Sequence, residues 1–316
     1  MLLLSGAVPI RCSGYSKESA SSLYTLIIMR IPAYAKINLF LDVMEKREDK
    51  FHNIRSIMHK VTLCDYVSAE RHDDYGQQIV VACPSAEVPL GEDNLVFRAA
   101  KLFFEHFGIN EYNVSFSIEK NIPVSAGLAG GSTDAAAALI LLNDLFEVGA
   151  TKNELCSVGA KLGSDIPFCL MDTTCLATGR GEVLTELESN LNLIFVIAKG
   201  GEGVSTPAAY KRIDEKFGST LCENFADLDE AISAVKTGDA TYVVKSMYNT
   251  FEDVVIPFHR EAAEAKRIML DGGAIGAMLS GSGPSVFGVF ADTESASTVR
   301  DKLSELGYSA HLCFSL

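Results

Sequence analysis

Pro123-Val-Ser-Ala-Gly127-Leu-Ala-Gly130-Gly131-Ser132-Thr133-Asp134 joins an alternating segment, 113–119, to an apolar run, 134–146. In the first of these Val114, Phe116 and Ile118 fall on one side, the period-two pattern of a strand. In the second, Ala135 through Leu142 are apolar without a break, which predicts a helix buried on most sides. The order is therefore strand, glycine-rich loop, buried helix. Three glycines within five positions let the backbone turn its N–H groups toward a ligand, and the helix N-terminus adds partial positive charge. Together these predict an anion site, with the Ser132 and Thr133 hydroxyls as donors or as ligands beside a metal ion. No Gly-Lys-Ser/Thr follows, so this is not a Walker loop, and the glycine spacing does not fit the dinucleotide fingerprint. The same residue types also suit ordinary helix capping.

Upstream, Ile31, Ala33, Ala35, Ile37, Leu39, Leu41 and Val43 alternate with other residues, predicting a strand with one buried face. Its other face carries Tyr34, Lys36, Asn38 and Asp42 and is expected to be exposed, as the floor of a cleft or as a solvated surface. Downstream, 152–162 reads as a helix stopped by Gly163. Ser164-Asp165-Ile166-Pro167 then opens a short helix, in which Asp165 is either a cap or a reactive carboxylate. Thr178-Gly179-Arg180-Gly181-Glu182 is turn chemistry. From residue 193 the pattern changes to strand 193–198, a helical stretch ending at Gly273, strands 275–279 and 285–290, helix 293–306 and strand 308–314. The order βαββαβ predicts a ferredoxin-like unit with inserted helices. Its two central strands flank Ser280-Gly281-Ser282-Gly283-Pro284, which alone reads as a hairpin turn.

Of the 316 residues 48% are hydrophobic and 22% charged, a globular composition. With 27 basic and 41 acidic residues the net charge is −14. That disfavours nucleic acid as a partner, because counterion release needs a concentrated basic surface. Any polyphosphate must instead meet a local nest of N–H groups and a few cations. Eight cysteines lie scattered without a Cys-x-x-Cys pair, which points to reduced thiols and a cytoplasmic setting, with no zinc site. Residues 1–28 are Ser-rich and linker-like, and are expected to be a disordered extension or to precede a mis-assigned start; Arg11 among the serines leaves a transit peptide open. No apolar run reaches the roughly 18–20 residues of a membrane span.

The lysine strand, the Pro-x-x-x-Gly-Leu loop and the late Gly-Ser-Gly turn, in this order, resemble the GHMP kinase superfamily over residues 29–316. Ala35-Lys36-Ile37-Asn38-Leu39, Phe51-His52, Glu92-Asp93-Asn94-Leu95, Gly163 to Pro167 and Val204-Ser205-Thr206-Pro207 are similar to the branch that phosphorylates a cytidine-diphosphate-linked methylerythritol. The resemblance implies an α+β, two-domain fold. An α/β nucleotide-binding domain would span 29–189, and a ferredoxin-like domain 190–316. It implies ATP as donor, with Mg²⁺, and a small-molecule C2 hydroxyl as acceptor, without nucleic-acid or membrane partners. Asp165 would accept the hydroxyl proton, Lys36 would lie beside it, and Asn38 would orient the polyol. His52 would pair with the cytosine edge while Phe51 and Tyr210 stack on the base. Asn94 would border the adenine pocket. Pro123, Val124, Ser125, Ala126, Gly127, Leu128, Ala129, Gly130, Gly131, Ser132 and Thr133 would wrap the ATP phosphates. Gly281, Ser282 and Gly283 would close the site. The family commonly has Gly-Tyr-His where this chain has Lys50-Phe51-His52, and two serines where it has Ser132-Thr133. Homoserine or mevalonate-pathway kinases share the loop but have no use for cytosine. A non-catalytic nucleotide-binding relative would be expected to lack Lys36 or Asp165.

Overall fold

The structure is a computed structural model and describes residues 28–73, 76–218 and 227–316; the N-terminal extension expected over 1–28 lies outside them but for Ile28. Alternation builds β1 (Ile28–Lys46), which pairs along its length with the antiparallel β2 (His52–Arg71). Next come β3 (Gln77–Ala82), α1 (Leu95–Phe107) and β4 (Tyr112–Glu119). β4 lies antiparallel to the far end of β2 and parallel to β3. β5 (Cys175–Thr178) and β6 (Val183–Glu186) form a hairpin on the near end of β2.

Three further helices, α2 (Gly130–Leu145), α3 (Lys152–Gly159) and α4 (Asp165–Leu170), join α1 over one face of this sheet. α1 runs between two local stop signals, an Asn94 side-chain cap and Gly108 in the left-handed region at φ 67°. Its Val96, Ala99, Ala100, Phe103 and Phe104 recur at helical spacing and enter the core. α2 is the buried helix expected from its composition. Leu139, Leu141 and Leu142 are fully enclosed, each worth roughly 1.5–3 kcal/mol of burial. It begins four residues earlier than predicted, at Gly130, so the loop's last glycines and hydroxyls form the helix's first turn.

The second sheet is formed by β7 (Ile194–Lys199), β9 (Gly276–Leu279), β10 (Val286–Phe290) and β11 (Ser309–Phe314). The connection from β7 to β9 carries α5 (Thr206–Phe217), α6 (Leu228–Thr237), α7 (Ala240–Ser246), the two-residue β8 (Tyr248–Asn249), α8 (Glu252–Val255) and α9 (Arg260–Asp271). Then follow β9 (Gly276–Leu279), β10 (Val286–Phe290), α10 (Thr293–Glu305) and β11 (Ser309–Phe314). The order β11-β7-β10-β9, antiparallel throughout, is the arrangement of the ferredoxin-like βαββαβ unit.

One expectation is corrected by how the halves meet. The second face of β1 was expected to be exposed, yet Lys36, Asn38 and Asp42 are all at least 96% buried. Side chains from other elements meet them: Asp165 lies 3.8 Å from Lys36, Asn38 donates to Ser56, and Arg55 pairs with Asp42. On the opposite face a core of Ala35, Ile37 and Leu39 with Phe195, Phe287 and Val289 fuses β1 to the second sheet. Along its edge β8 pairs parallel to β1 at Phe40 and Leu41, although it lies far along the chain. An extra residue in β1 between Asn38 and Phe40 shifts its register against β2, so Leu39, Phe40 and Leu41 are all buried. Among the described residues no helix is long and apolar enough to cross a membrane.

Candidate active site

The loop before α2 holds three left-handed residues, Ser125 (φ 53°), Gly127 (φ 76°) and Ala129 (φ 60°). For the two that carry a Cβ this costs roughly 1–2 kcal/mol each. Contacts from around the loop offset it. Lys36 N–H donates to Leu128 O at 3.1 Å, and Ser285 N–H to Ala126 O at 3.3 Å. The Lys199 ammonium reaches Val124 O at 2.8 Å, and the Ser280 hydroxyl reaches Gly127 O at 3.2 Å. Gly127 is required twice over, by its φ and because a Cβ there would lie 2.3 Å from Ser280 O. Ala129 offers no side-chain cap to α2, so the first-turn N–H groups stay available to an anion.

They face a cavity of about 360 Å³. Ten of the twelve residues expected to hold ATP line it: Asn94, Pro123, Val124, Ser125, Ala126, Gly127, Ala129, Gly130, Gly131 and Ser132. Leu128 and Thr133 do not. Leu128 packs into the core, and the Thr133 side chain meets Cys169 of α4. The reason is helical: Ser132 and Thr133 sit in a helix, not in a loop, and consecutive residues there point about 100° apart. Asn94 works through its amide, accepting from Val96 N–H at 2.7 Å and donating to Pro89 O at 2.7 Å. It thereby holds the 87–89 segment that forms the cavity's far wall.

Sequence reasoning missed a buried ionic cluster at the same cavity. The Lys120 ammonium donates to Asp134 at 2.7 Å and also to Asp65. Asp65 is saturated by the backbone N–H groups of Asn121 and Ile122. Asp134 Oδ1, by contrast, is buried without a partner. Burial pushes the Asp134 carboxyl up; Lys120 opposes this and Asp65 adds to it. A lysine at the strand end just before a glycine loop, and the Asp that closes the loop motif, were the available signals.

A second cavity, about 310 Å³, shares Ser125, Gly127 and Ala129 with the first. Here the structure brings together Lys36, Asn38, Asp165, Tyr210, Gly281, Ser282 and Gly283. Asp165 is the first residue of α4, and its carboxylate lies 3.8 Å from the buried Lys36 ammonium. Lys36 donates to Asn38 Oδ1 at 2.8 Å, Asn38 to Ser56 Oγ at 2.8 Å, and Ser56 to Phe40 O at 2.8 Å. This chain fixes the lysine in one orientation. The Gly281 turn is held by Asn249, whose amide donates to Leu279 O and Gly281 O, and by a 2.8 Å hydroxyl pair, Thr206–Ser282. Burial, and secondarily Asp165, push the Tyr210 phenol up to about 12.

His52 and Phe51 stand apart from this group. The buried His52 ring stacks on Tyr210 at 5.1 Å, with Nε2 2.8 Å from Asp214 of α5. Phe51 is 55% exposed and lies outside the cavity lining, with the Arg180 guanidinium 5.0 Å above its ring.

Comparison with known proteins bears on the family. The family model for the GHMP kinases N terminal domain matches residues 94–173, and that for the GHMP kinases C terminal matches residues 231–309. The chain is 41% identical to the 4-diphosphocytidyl-2-C-methyl-D-erythritol kinase of Clostridium perfringens, over 84% of this chain and 89% of that one. The kinase of the same name from Alkaliphilus metalliredigens is 40% identical over 90% and 95%. The chain belongs to this family of GHMP kinases. A crystal structure of 4-(cytidine 5'-diphospho)-2C-methyl-D-erythritol kinase superposes with a TM-score of 0.75 at 28% identity, covering 91% of this chain and 99% of that one.

In a GHMP kinase two substrates must meet, and here the two cavities touch at the loop. One offers helix N–H groups and a lysine to a polyphosphate. The other offers a carboxylate beside a fixed ammonium to a hydroxyl. Among the described residues no group of three or more His, Cys, Asp or Glu could hold a metal on its own.

Proposed function

We infer that the protein transfers the γ-phosphoryl group of ATP to the C2 hydroxyl of 4-diphosphocytidyl-2-C-methyl-D-erythritol, in the non-mevalonate route to isoprenoid precursors. The observation that carries this reading is the Lys36–Asp165 pair, 3.8 Å apart, in a cavity that shares its wall with the glycine loop. ATP lies with its phosphates on the first turn of α2 and its base against the wall formed by Asn94 and the 87–89 segment. The acceptor lies in the second cavity, its polyol against Asn38 and its base toward Tyr210 and His52. Asp165 takes the proton from the C2 oxygen as that oxygen attacks the γ-phosphorus and the bond to ADP breaks. Lys36 stabilises the negative charge that develops on the attacking oxygen. Most of the rate then comes from positioning and charge stabilisation, as expected for phosphoryl transfer.

Mg²⁺ fits the loop cavity, because Asp134 and Ser132 both line it and the Asp134 carboxylate keeps one oxygen without a partner. When bound it supplies neutralisation of phosphate charge. Gly281, Ser282 and Gly283 close the site over the transferred group. The six described cysteines are free thiols, which suits a reducing cytoplasm.

The test is a coupled ADP-release assay with Mg·ATP, comparing the cytidine compound with homoserine, mevalonate and galactose. Turnover with the cytidine compound alone is expected. Turnover with another acceptor overturns the substrate, and silence with all four overturns the kinase reading.

A further inference from the structure

We propose that Arg180 binds the diphosphate of the cytidine-linked substrate and so selects it over uncharged polyols. This rests on the function inferred above. That substrate carries two negative phosphoryl groups into the protein's second cavity, and the protein as a whole has a net charge of −14. Two cationic side chains line the cavity, Lys36 and Arg180. Lys36 is already occupied by Asn38 at 2.8 Å and faces Asp165 at 3.8 Å. Arg180 pairs only loosely with Glu182, 3.6 Å from its Nε, and lies within electrostatic reach of Asp49. A planar guanidinium presents a fork of donors that matches phosphate oxygens.

The arginine is mounted firmly. It is centred in the turn between β5 and β6, flanked by Gly179 (φ 68°) and Gly181 (φ 110°). Gly179 O accepts from Ile54 N–H at 2.8 Å, and Arg180 N–H donates to Glu182 Oε2 at 2.6 Å. A Cβ on Gly181 would lie 3.3 Å from Ile54 and 3.7 Å from Ser164, the residue before Asp165. The turn therefore rests on the same frame as the carboxylate. Beneath the guanidinium is the Phe51 ring, 5.0 Å away. The exposed Phe51 thus serves as the platform that aims the arginine.

A terminal phosphoryl of ATP is the other anion that could meet Arg180, and the experiment separates the two. Binding of CDP and of cytidine is measured calorimetrically without ATP, and KM for both substrates kinetically, for wild type, Arg180→Ala, Arg180→Lys and Phe51→Ala. Arg180→Ala should weaken CDP and raise the KM of the cytidine compound by about 10- to 100-fold, leaving cytidine affinity and the KM of ATP unchanged. Arg180→Lys should recover part of the loss. Phe51→Ala, which keeps the charge, should lose about 2- to 5-fold. Unchanged CDP affinity in a folded Arg180→Ala protein overturns the proposal. So does a loss confined to kcat and the KM of ATP, which would assign Arg180 to the transferred phosphoryl. If the wild type itself ignores CDP, the substrate reading fails together with the proposal; if it binds CDP and Arg180→Ala binds it equally, only the proposal fails.

Discussion

Replacing Gly127 by alanine tests whether the glycine loop and the Gly281 turn form one interlocked unit. Gly127 has φ +76°, and a Cβ there would sit 2.3 Å from Ser280 O and 3.0 Å from Gly283 O. Reaching even 3.0 Å from Ser280 requires the two backbones to part by about 0.7 Å. The left-handed conformation alone costs an L-residue roughly 1–2 kcal/mol. The overlap adds about 1–3 kcal/mol, the usual range for overpacking. Gly149 isolates the first term, since it has φ +69° and nothing within 4 Å of its would-be Cβ. Both substitutions also stiffen the unfolded chain equally, so that contribution cancels. Urea denaturation should show Gly149→Ala losing about 1–2 kcal/mol and Gly127→Ala about 2–5 kcal/mol. Steady-state kinetics should show kcat/KM unchanged in the first and lowered about 10²-fold in the second, the scale of a misplacement near 1 Å. Equal stability losses, or normal activity in Gly127→Ala, would refute the interlock.

Asp165→Asn keeps the shape of α4 but removes the proton acceptor; turnover should fall about 10²–10⁴-fold with both KM values little changed, and near-normal turnover would remove Asp165 from the chemistry. Tyr210→Leu should raise the KM of the cytidine compound and not that of ATP; the reverse pattern would count against base binding at that end of the cavity. His59 concerns stability: burial pushes its imidazole from 6.5 down to about 4, and Nε2 has no partner. The unfolded chain therefore binds the extra proton between those values. Stability is complete above about pH 6.5 and declines toward pH 4, by up to about 3 kcal/mol. His59→Gln should flatten that part of the pH profile, and an unchanged profile would show that burial does not shift the His59 imidazole.

The two halves of the fold are legible in the sequence to different degrees, for identifiable reasons. The ferredoxin-like half announces itself because 275–279 and 285–290 are short apolar strands around a glycine turn, and the observed limits agree with these within a residue. β2 carries no comparable signal. It carries His52, His59, Lys60, Asp65 and other polar groups on both faces, these four satisfied by partners far along the chain. The burial of Lys36 and Asn38 could not be foreseen from alternation, because the groups that meet them, Asp165 and Ser56, come from other elements. The loop's phosphate-holding chemistry is legible from glycine and helix dipole alone, whereas the choice between Ser132 and Thr133 depends on where α2 begins. Lys120, Asp134 and Arg180 carry weak local signals. A single charge beside a turn means little until the fold shows which cavity it lines.

The two-residue strand β8 has a consequence for how the protein is made. It supplies the last backbone partners to the edge of β1, and Thr250 reaches Leu41 across 209 positions. At about 5–20 residues per second, a ribosome needs roughly 10–40 s to produce that partner after β1 has emerged. For that interval the nascent chain offers a bare hydrogen-bonding edge, the kind that pairs with neighbouring chains. The strand that bears Lys36 and Asn38 is thus made before every other strand of its sheet and completed only by the last of them.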